Sequence, residues 1–356
     1  MPSKVKISGP VFAKCMRSRD GKHSVLLLGD AHFSWAGTCD KSSETEQPGD
    51  KHDDASGVRD LVDTFLRSGD AVDYADVFVE AGIREMPGTL SRMMHKLTGE
   101  VLGPTESGPL TELIRHFADR GCLEYGRAEC RKRYPHGRVH FVDRRQDAKS
   151  LLYELLPNVG MGLAAAVHEG SLSQARAQAR KLAKAFDKYP TVQSLTKLLR
   201  SRLSTSANKS TKQVEAIADK ATQKKVWDWL HEGEKELVDL YGSVYKEAKR
   251  DLDAALKDNG GTPRALMLWV LAYPTKLVSM VLFVTIFEMD VYTMGRLLRE
   301  FKDGTRAQRS MVYAGDAHIK NYEGLLAKLG WKDCGKVSYH SMRCFSVTLP
   351  KALQAN

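Results

Sequence analysis

The sequence lacks the features that mark several common protein classes. Its 356 residues include only six cysteines, and no two of them form a C-x-x-C pair. No Gly-rich nucleotide loop, serine nucleophile elbow or H-E-x-x-H pair occurs. The segment from Met1 to Pro10 has no apolar signal core. These absences argue against the commonest nucleotide, serine-hydrolase and zinc-protease sites, and they predict free, mostly buried thiols in a reducing, intracellular setting such as the cytoplasm.

Long apolar runs are also scarce. The one stretch that approaches a membrane span lies between Arg264 and Glu288, and Pro274 and Lys276 divide it. Its uninterrupted part, 277–287, is far shorter than the roughly 20 residues that a bilayer requires. A buried core helix is therefore the preferred interpretation, with attachment to a membrane through this stretch as the alternative.

The chain does have an excess of positive charge, because 54 Lys and Arg face 44 Asp and Glu. Residues 171–250 carry 17 basic and 9 acidic residues, a balance of 17 − 9 = +8, in a segment with helical spacing of its apolar residues. A basic helical face binds nucleic acid or another anionic surface. A solvated face in which Lys serves as a helix former is the preferred interpretation, and binding of an anionic partner stays open as the alternative.

Outside this segment, short apolar runs alternate with amphipathic helices, which predicts an α/β fold with a central mixed sheet flanked by helices. The expected domain structure is an N-terminal half at 1–150, a basic helical insert at 151–262 and a C-terminal half at 263–356 that completes the first. Gly330 is expected to cap the last long helix. The strand-like runs are Ser24–Leu28, Val77–Val79, Val139–Val142, Met311–Ala314 and Phe345–Leu349.

Ionisable residues follow four of these five runs. Two of the runs are followed by the same tetrapeptide, Gly-Asp-Ala-His. Loops at the carboxyl ends of parallel strands converge on one crevice, so these residues are expected to form one site. The residues concerned are Asp30 and His32 in the first Gly-Asp-Ala-His, Glu80, the group Asp143, Arg144 and Arg145, and Asp316 and His318 in the second.

Two imidazoles and a carboxylate are the donor set that holds Zn²⁺, Mn²⁺ or Fe²⁺ with a position left for water. We therefore expect His32, Glu80 and His318 to bind a divalent metal that activates water for hydrolysis. Asp30 and Asp316 are expected as further ligands or as acceptors that orient the histidines. Cys39 and His52 could join a metal site through the loop that carries them, but this is the weaker alternative because their spacing matches no zinc module.

Carboxylates also stand within a mostly apolar helical pattern near residue 290. Glu288, Asp290 and Arg296 lie in this segment, and a buried carboxylate requires a partner. Asp290 is expected either to pair with Arg144 or Arg145 or to face solvent. Asp290 and Arg296 are candidate catalytic residues beside Glu80, Asp143 and Arg145.

The ordered motifs resemble those of the TraB, PrgY and Tiki proteins, whose superfamily also includes erythromycin esterase and ChaN-like proteins. The resemblance rests on G-x-x-H after a first strand, a Glu after a second and YAGDAHIKNYEGLLAKLGW near the C-terminus, and it covers about 23–145 and 277–349. It implies an α+β fold and metal-dependent proteolysis, with His32, Glu80 and His318 in the site and Asp143 with Arg145 as an acidic and basic pair. Met289-Asp290 departs from the Arg-Asn pair usual in Tiki-like sequences. Several segments are also similar to uncharacterised proteins of large DNA viruses.

Three functional hypotheses follow from these observations. The first is a metal-dependent hydrolase of a peptide or ester, and the second is a metal-free esterase in which a His acts as general base beside a Glu. The third is a non-catalytic or virion-associated protein that binds an anionic partner through 171–250. A membrane partner is not expected.

Overall fold

The computed structural model describes about two thirds of the chain, in some places as backbone only. The described residues are 4–30, 56–71, 73–80, 113, 116–117, 122, 128–142, 162–163, 165–167, 169–194, 197, 210–257, 263–301, 304–341, 344–350 and 353–354.

The fold is of the mixed α/β class, as predicted, with a six-stranded sheet flanked by helices. The spatial order is β6-β5-β7-β3-β2-β8, in which the four strands from β6 to β3 are parallel to one another and β2 and β8 are antiparallel to their neighbours. The strands are β2 (Phe12–Arg17), β3 (Ser24–Asp30), β5 (Ala75–Val79), β6 (Gly137–Phe141), β7 (Arg309–Gly315) and β8 (Lys332–Asp333).

The central strands are buried along their whole length. Every residue of β3, β5 and β7 is buried. A strand covered on both faces reads as a continuous apolar run instead of an alternating one, which is why VLLL, VFV and MVYA were recognisable in the sequence. All four runs that carry ionisable residues at their ends are therefore neighbours in one sheet.

A second, four-stranded sheet has the order β4-β1-β10-β9. Its strands are β1 (Lys4–Ser8), β4 (Ser56–Gly57), β9 (Val337–Ser341) and β10 (Cys344–Thr348), and β1 pairs antiparallel with β10. The run Phe345–Leu349 belongs to this second sheet. Its membership explains why no candidate residue follows it.

In the part of the chain that the structure describes, three helices accompany these sheets: α1 (Val58–Arg67), α2 (Ala128–Arg133) and α8 (Asp316–Lys328). The apolar side of α1 is buried as its spacing predicts. Leu329 is the C-cap of helix α8, and Gly330 follows with φ of 83°, a left-handed conformation that glycine adopts without strain. The predicted cap at Gly330 is confirmed.

The remaining helices among the described residues are α3 (Leu172–Lys188), α4 (Ser210–Glu215), α5 (Lys220–Lys257), α6 (Pro263–Ala272) and α7 (Pro274–Leu298). The chain divides into two compact units. We call residues 1–143, 214–225 and 293–356 the sheet unit, and residues 144–213 and 226–292 the helical unit. The helical unit has its own core, which includes Leu182, Phe186, Tyr245, Leu252 and Trp269.

The prediction of one buried helix from 264 to 288 is wrong for its first half. The stretch forms two helices that meet at Tyr273, because Pro274 opens the second one at a position where its missing N–H is harmless. In α6 the side chains of Met267, Leu268 and Leu271 are exposed instead of buried. No helix among the described residues is long and apolar enough to cross a membrane.

The prediction of free thiols is wrong for four of the six cysteines. Cys15 in β2 is bonded to Cys334, 319 residues later, and Cys122 is bonded to Cys130. The first pair forms because β8 adds to the sheet edge beside β2, where the Cys334 N–H donates to the Cys15 carbonyl over 3.0 Å. No sequence spacing reveals such a long-range pair, so a missing C-x-x-C does not indicate that these cysteines are free.

Candidate functional site

The candidate site lies at the carboxyl edge of the central parallel strands. Glu80 directly follows β5, and its backbone N–H donates to the Tyr313 carbonyl of β7 over 3.0 Å. Asp30 at the end of β3 is paired in register with Gly315 at the end of β7. The sheet thus brings together three strand ends that are separated by up to 285 residues along the chain.

The centre of the site is a buried pair formed by Glu80 and His318. The Glu80 carboxylate accepts a hydrogen bond from the Gly315 N–H at Oε2, over 2.6 Å. Its other oxygen, Oε1, lies 3.5 Å from Nε2 of His318. Both residues are almost completely shielded from solvent. One carboxylate oxygen is therefore fixed by the backbone while the other is directed at the imidazole.

The start of helix α8 places the imidazole. Gly315 is the N-cap, so His318 stands in the first turn of the helix, and its ring stacks on that of Tyr322 at a centroid distance of 6.3 Å. This first turn packs closely on β3, because a Cβ atom at Gly29 would lie 3.2 Å from Cα of Asp316. Gly29 of the first Gly-Asp-Ala-His motif therefore allows helix α8, which begins in the second motif, to pack closely on β3.

The two aspartates of the repeated motif have different environments. Asp30 is buried and accepts a hydrogen bond from the Tyr313 hydroxyl over 3.1 Å. Asp316 is half-buried and pairs with Lys320 at 2.6 Å, and this hydrogen bond raises the pKa of the Lys320 ammonium. Asp30 therefore belongs to the buried edge of the sheet, whereas Asp316 is engaged at the surface of the helix.

A second buried polar cluster, centred on Asp76 and His140, lies on one face of the adjacent strands β5 and β6. The Arg138 guanidinium donates two hydrogen bonds to the Asp76 carboxylate, of 2.7 and 2.8 Å. His140 Nε2 lies 2.8 Å from Asp76 Oδ1, and Arg296 Nε lies 2.9 Å from His140 Nδ1. The ring of Phe301 stacks on that of His140 at 5.6 Å, with an interplanar angle of 5°.

The contacts of His140 determine its protonation. Burial lowers its pKa to about 4, the adjacent Arg296 and Arg138 act in the same direction, and Asp76 opposes them. Because a guanidinium can only donate, Nδ1 must be the acceptor of the Arg296 hydrogen bond. The imidazole is thus neutral, with its proton on Nε2 donated to Asp76.

The structure places some of the sequence-predicted residues and leaves others outside the described residues. Glu80 and His318 are brought together, and Arg296 joins the Asp76 cluster. Asp290 is fully buried in α7, within the helical unit, so the solvent-facing alternative is wrong. The predicted residues outside the described ranges are His32, Cys39, His52, Asp143, Arg144 and Arg145, and only the backbone of Glu288 is described.

Sequence reasoning missed Asp76, Arg138 and His140. A signal was available, since Arg138 and His140 alternate with apolar residues in GRVHF and Asp76 lies at an even spacing from Phe78 and Glu80 in ADVFVE. The register pairs Asp76 with Arg138 and Phe78 with His140, so period-two alternation in adjacent parallel strands puts all of these side chains on one face. The sequence analysis considered only the residues that follow the apolar runs, whereas these three residues lie within the strands.

Within the described ranges, no group of three or more His, Cys, Asp or Glu side chains has the geometry to hold a metal ion. Glu80 and His318 supply two adjacent donors. No protein-family model, curated protein or solved structure matches the chain.

Proposed function

We propose that the chain is a hydrolase of amide or ester bonds that uses a divalent metal ion held by Glu80, His318 and His32. The observation that carries the proposal is the buried Glu80 and His318 pair at the end of the parallel strands. Sites in this type of sheet lie at that edge, where loops from neighbouring strands converge.

The spacing of the pair suits two ligands of one metal better than a direct hydrogen bond. The Oε1 to Nε2 distance of 3.5 Å exceeds the usual hydrogen-bond range. Two ligand atoms on a tetrahedral ion with bonds of about 2.1 Å stand about 3.4 Å apart. The Gly315 N–H contact on Glu80 Oε2 and the stacking of His318 on Tyr322 hold both donors in place, as supporting interactions do in metal sites.

The third donor in this proposal is His32. It lies outside the described residues, two positions after Asp30 at the end of β3. Two residues span at most about 7 Å of chain, so the covalent structure ties His32 to the strand beside β7. When bound, the ion would polarise the substrate carbonyl and lower the pKa of a water ligand. The chain itself holds Glu80 as a carboxylate acceptor and shields the pair from bulk solvent.

Metal content after purification and incubation with Mn²⁺, Zn²⁺ or Fe²⁺ tests the donor set. We expect near-stoichiometric metal in the wild type and in His231→Ala, a control at an exposed histidine of α5. Folded His318→Ala and His32→Ala are expected to lose the metal, and Glu80→Gln, which keeps the shape and removes the charge, to bind it more weakly. A metal-free wild type, or metal retained by both histidine variants, would contradict the metal-dependent form.

Hydrolysis of aryl esters and of a fluorogenic peptide library tests the reaction class. We expect activity that a chelator abolishes and added metal restores, and that Glu80→Gln lowers by at least about a hundredfold. Activity that needs His318 but survives chelation would instead favour the metal-free esterase. A metal-bound protein inactive on every ester and peptide would overturn the hydrolase proposal.

A further inference from the structure

Helix α6 in the helical unit carries an exposed apolar stripe. The exposed fractions of Met267, Leu268 and Leu271 are 52%, 59% and 76%, which are large values for side chains of this type. With Arg264 and Ala272, which are also exposed, they recur at spacings of three and four residues. These spacings place all five residues on one side of the helix.

The opposite side of α6 is firmly docked. Its Trp269 indole N–H donates to the Ala248 carbonyl of α5 over 2.8 Å, and the Tyr273 hydroxyl, just after the helix, donates to Asp251 of α5 over 2.5 Å. Leu266 and Trp269 are buried in the core of the helical unit. The helix is thus held by one side, and the leucines of the other side are presented outward.

Positive charge accompanies the stripe. Arg264 begins it, and Lys276, an exposed residue in the first turn of the next helix, α7, lies over the Tyr273 ring. The neighbouring helix α3 packs against α6, and among the described residues its exposed cations have no carboxylate partner. These cations are Arg180, Lys181, Lys184 and Lys188.

We propose that the α6 stripe docks on the anionic surface of a phospholipid bilayer. In this arrangement the side chains of Met267, Leu268 and Leu271 enter the boundary between headgroups and acyl chains, and Arg264 and Lys276 bind lipid phosphates. Exposed apolar side chains gain free energy by leaving water, and each basic residue gains from the negative leaflet. The contact is peripheral and does not depend on the proposed hydrolase activity.

Two other occupants fit the surface less well. A nucleic acid supplies phosphates for the cations but no apolar phase for the two leucines. A second copy of the chain would bury the leucines but would bring together two segments that each carry +8 between residues 171 and 250. An anionic lipid surface complements both features.

Vesicle flotation of the full chain tests the proposal. We expect the wild type to float with vesicles made of equal parts phosphatidylcholine and phosphatidylserine, and not with phosphatidylcholine alone or at high salt. Leu268→Ser with Leu271→Ser should lower the apparent affinity by about tenfold or more, because both side chains leave water on binding. Arg264→Gln with Lys276→Gln should weaken binding and reduce its salt dependence.

Leu240→Ser is the matched control, since Leu240 is 53% exposed on α5 and lies outside the stripe. It should bind vesicles like the wild type. Equal losses in the control and in the double leucine variant would overturn the proposal, as would a wild type that ignores phosphatidylserine vesicles. A dimer in light scattering that the double leucine variant dissociates, or duplex DNA binding without vesicle binding, would assign the surface to a second copy or to nucleic acid instead.

Discussion

The sheet unit and the helical unit distribute their polar and apolar groups in opposite ways. The sheet unit buries a network of charges around Asp76 and crosslinks distant parts of its chain, whereas the described cations of the helical unit lie at its surface and α6 exposes leucines. Parallel strands require contacts between residues far apart in sequence, and a helix makes its hydrogen bonds locally. The buried charges and the long-range disulfide thus lie in the unit whose strands must pair across the greatest sequence separations.

The largest effect expected from this comparison concerns the disulfide between Cys15 and Cys334. Its loop of 319 residues restricts the unfolded chain far more than the 8-residue separation of Cys122 and Cys130. In the chain-entropy view, the long loop contributes about 6 kcal/mol and the short one about 2.5 kcal/mol. Guanidinium unfolding of Cys15→Ser/Cys334→Ser and of Cys122→Ser/Cys130→Ser measures the difference.

Hydrogen exchange shows where the loss falls. In Cys15→Ser/Cys334→Ser we expect faster exchange at amides of β2 and β3 and unchanged exchange in α3 and α5. Equal destabilisation by the two double variants, or faster exchange throughout the helical unit, would break the distinction between the two units.

The next largest effect concerns Asp76, which has no solvent exposure and accepts hydrogen bonds from Arg138 and His140. Asp76→Ala should lower the free energy of unfolding by about 3 to 5 kcal/mol, because it leaves buried donors without their acceptor. Asp76→Asn, which keeps an acceptor oxygen, should cost less. A loss below about 1 kcal/mol in Asp76→Ala, measured by denaturant unfolding, would show that the network does not stabilise the sheet unit.

A smaller effect, confined to acidic pH, follows from His140. Its folded-state pKa of about 4 lies below the ordinary value of 6.5, so between these values the unfolded state binds more protons than the folded state. Its contribution to stability is thus fully present above pH 6.5 and is lost as the pH falls towards 4, on the order of 3 kcal/mol in all. The charged neighbours are Asp76, Arg138 and Arg296.

The control is His140→Gln, whose amide can donate to Asp76 and accept from Arg296 but does not titrate in this range. Unfolding free energies of both proteins from pH 7 to pH 4 should show a steeper decline in the wild type. Parallel pH profiles would mean that His140 is not held neutral in the folded protein.

Sequence reasoning recovered what apolar runs and local caps encode. The fully buried runs identified β3, β5 and β7, and the residue after β5 led to Glu80. The disulfide between Cys15 and Cys334 could not be predicted, because two residues 319 positions apart produce no periodic pattern in the sequence. The exposure of Leu271 could not be predicted, because an apolar residue in a helix is expected to be buried. Only the structure shows that a different side of α6 packs on the core.

The smallest expected effect is at the surface ion pairs of the helical unit. Lys249 lies 2.5 Å from Asp187 and 3.1 Å from Asp253, and its hydrogen bond to Asp187 raises the pKa of the ammonium. Asp187 is 67% exposed, so water and salt screen the pair. A double-mutant cycle of Asp187→Ala and Lys249→Ala should give a coupling below about 1 kcal/mol that falls with added salt. Both the Asp76 contacts and the Lys249 pair join a carboxylate to a cation, so we attribute their different expected energies to solvent exposure alone. A coupling as large as the loss in Asp76→Ala would contradict this explanation and would mean that the helical unit also depends on specific charge pairs.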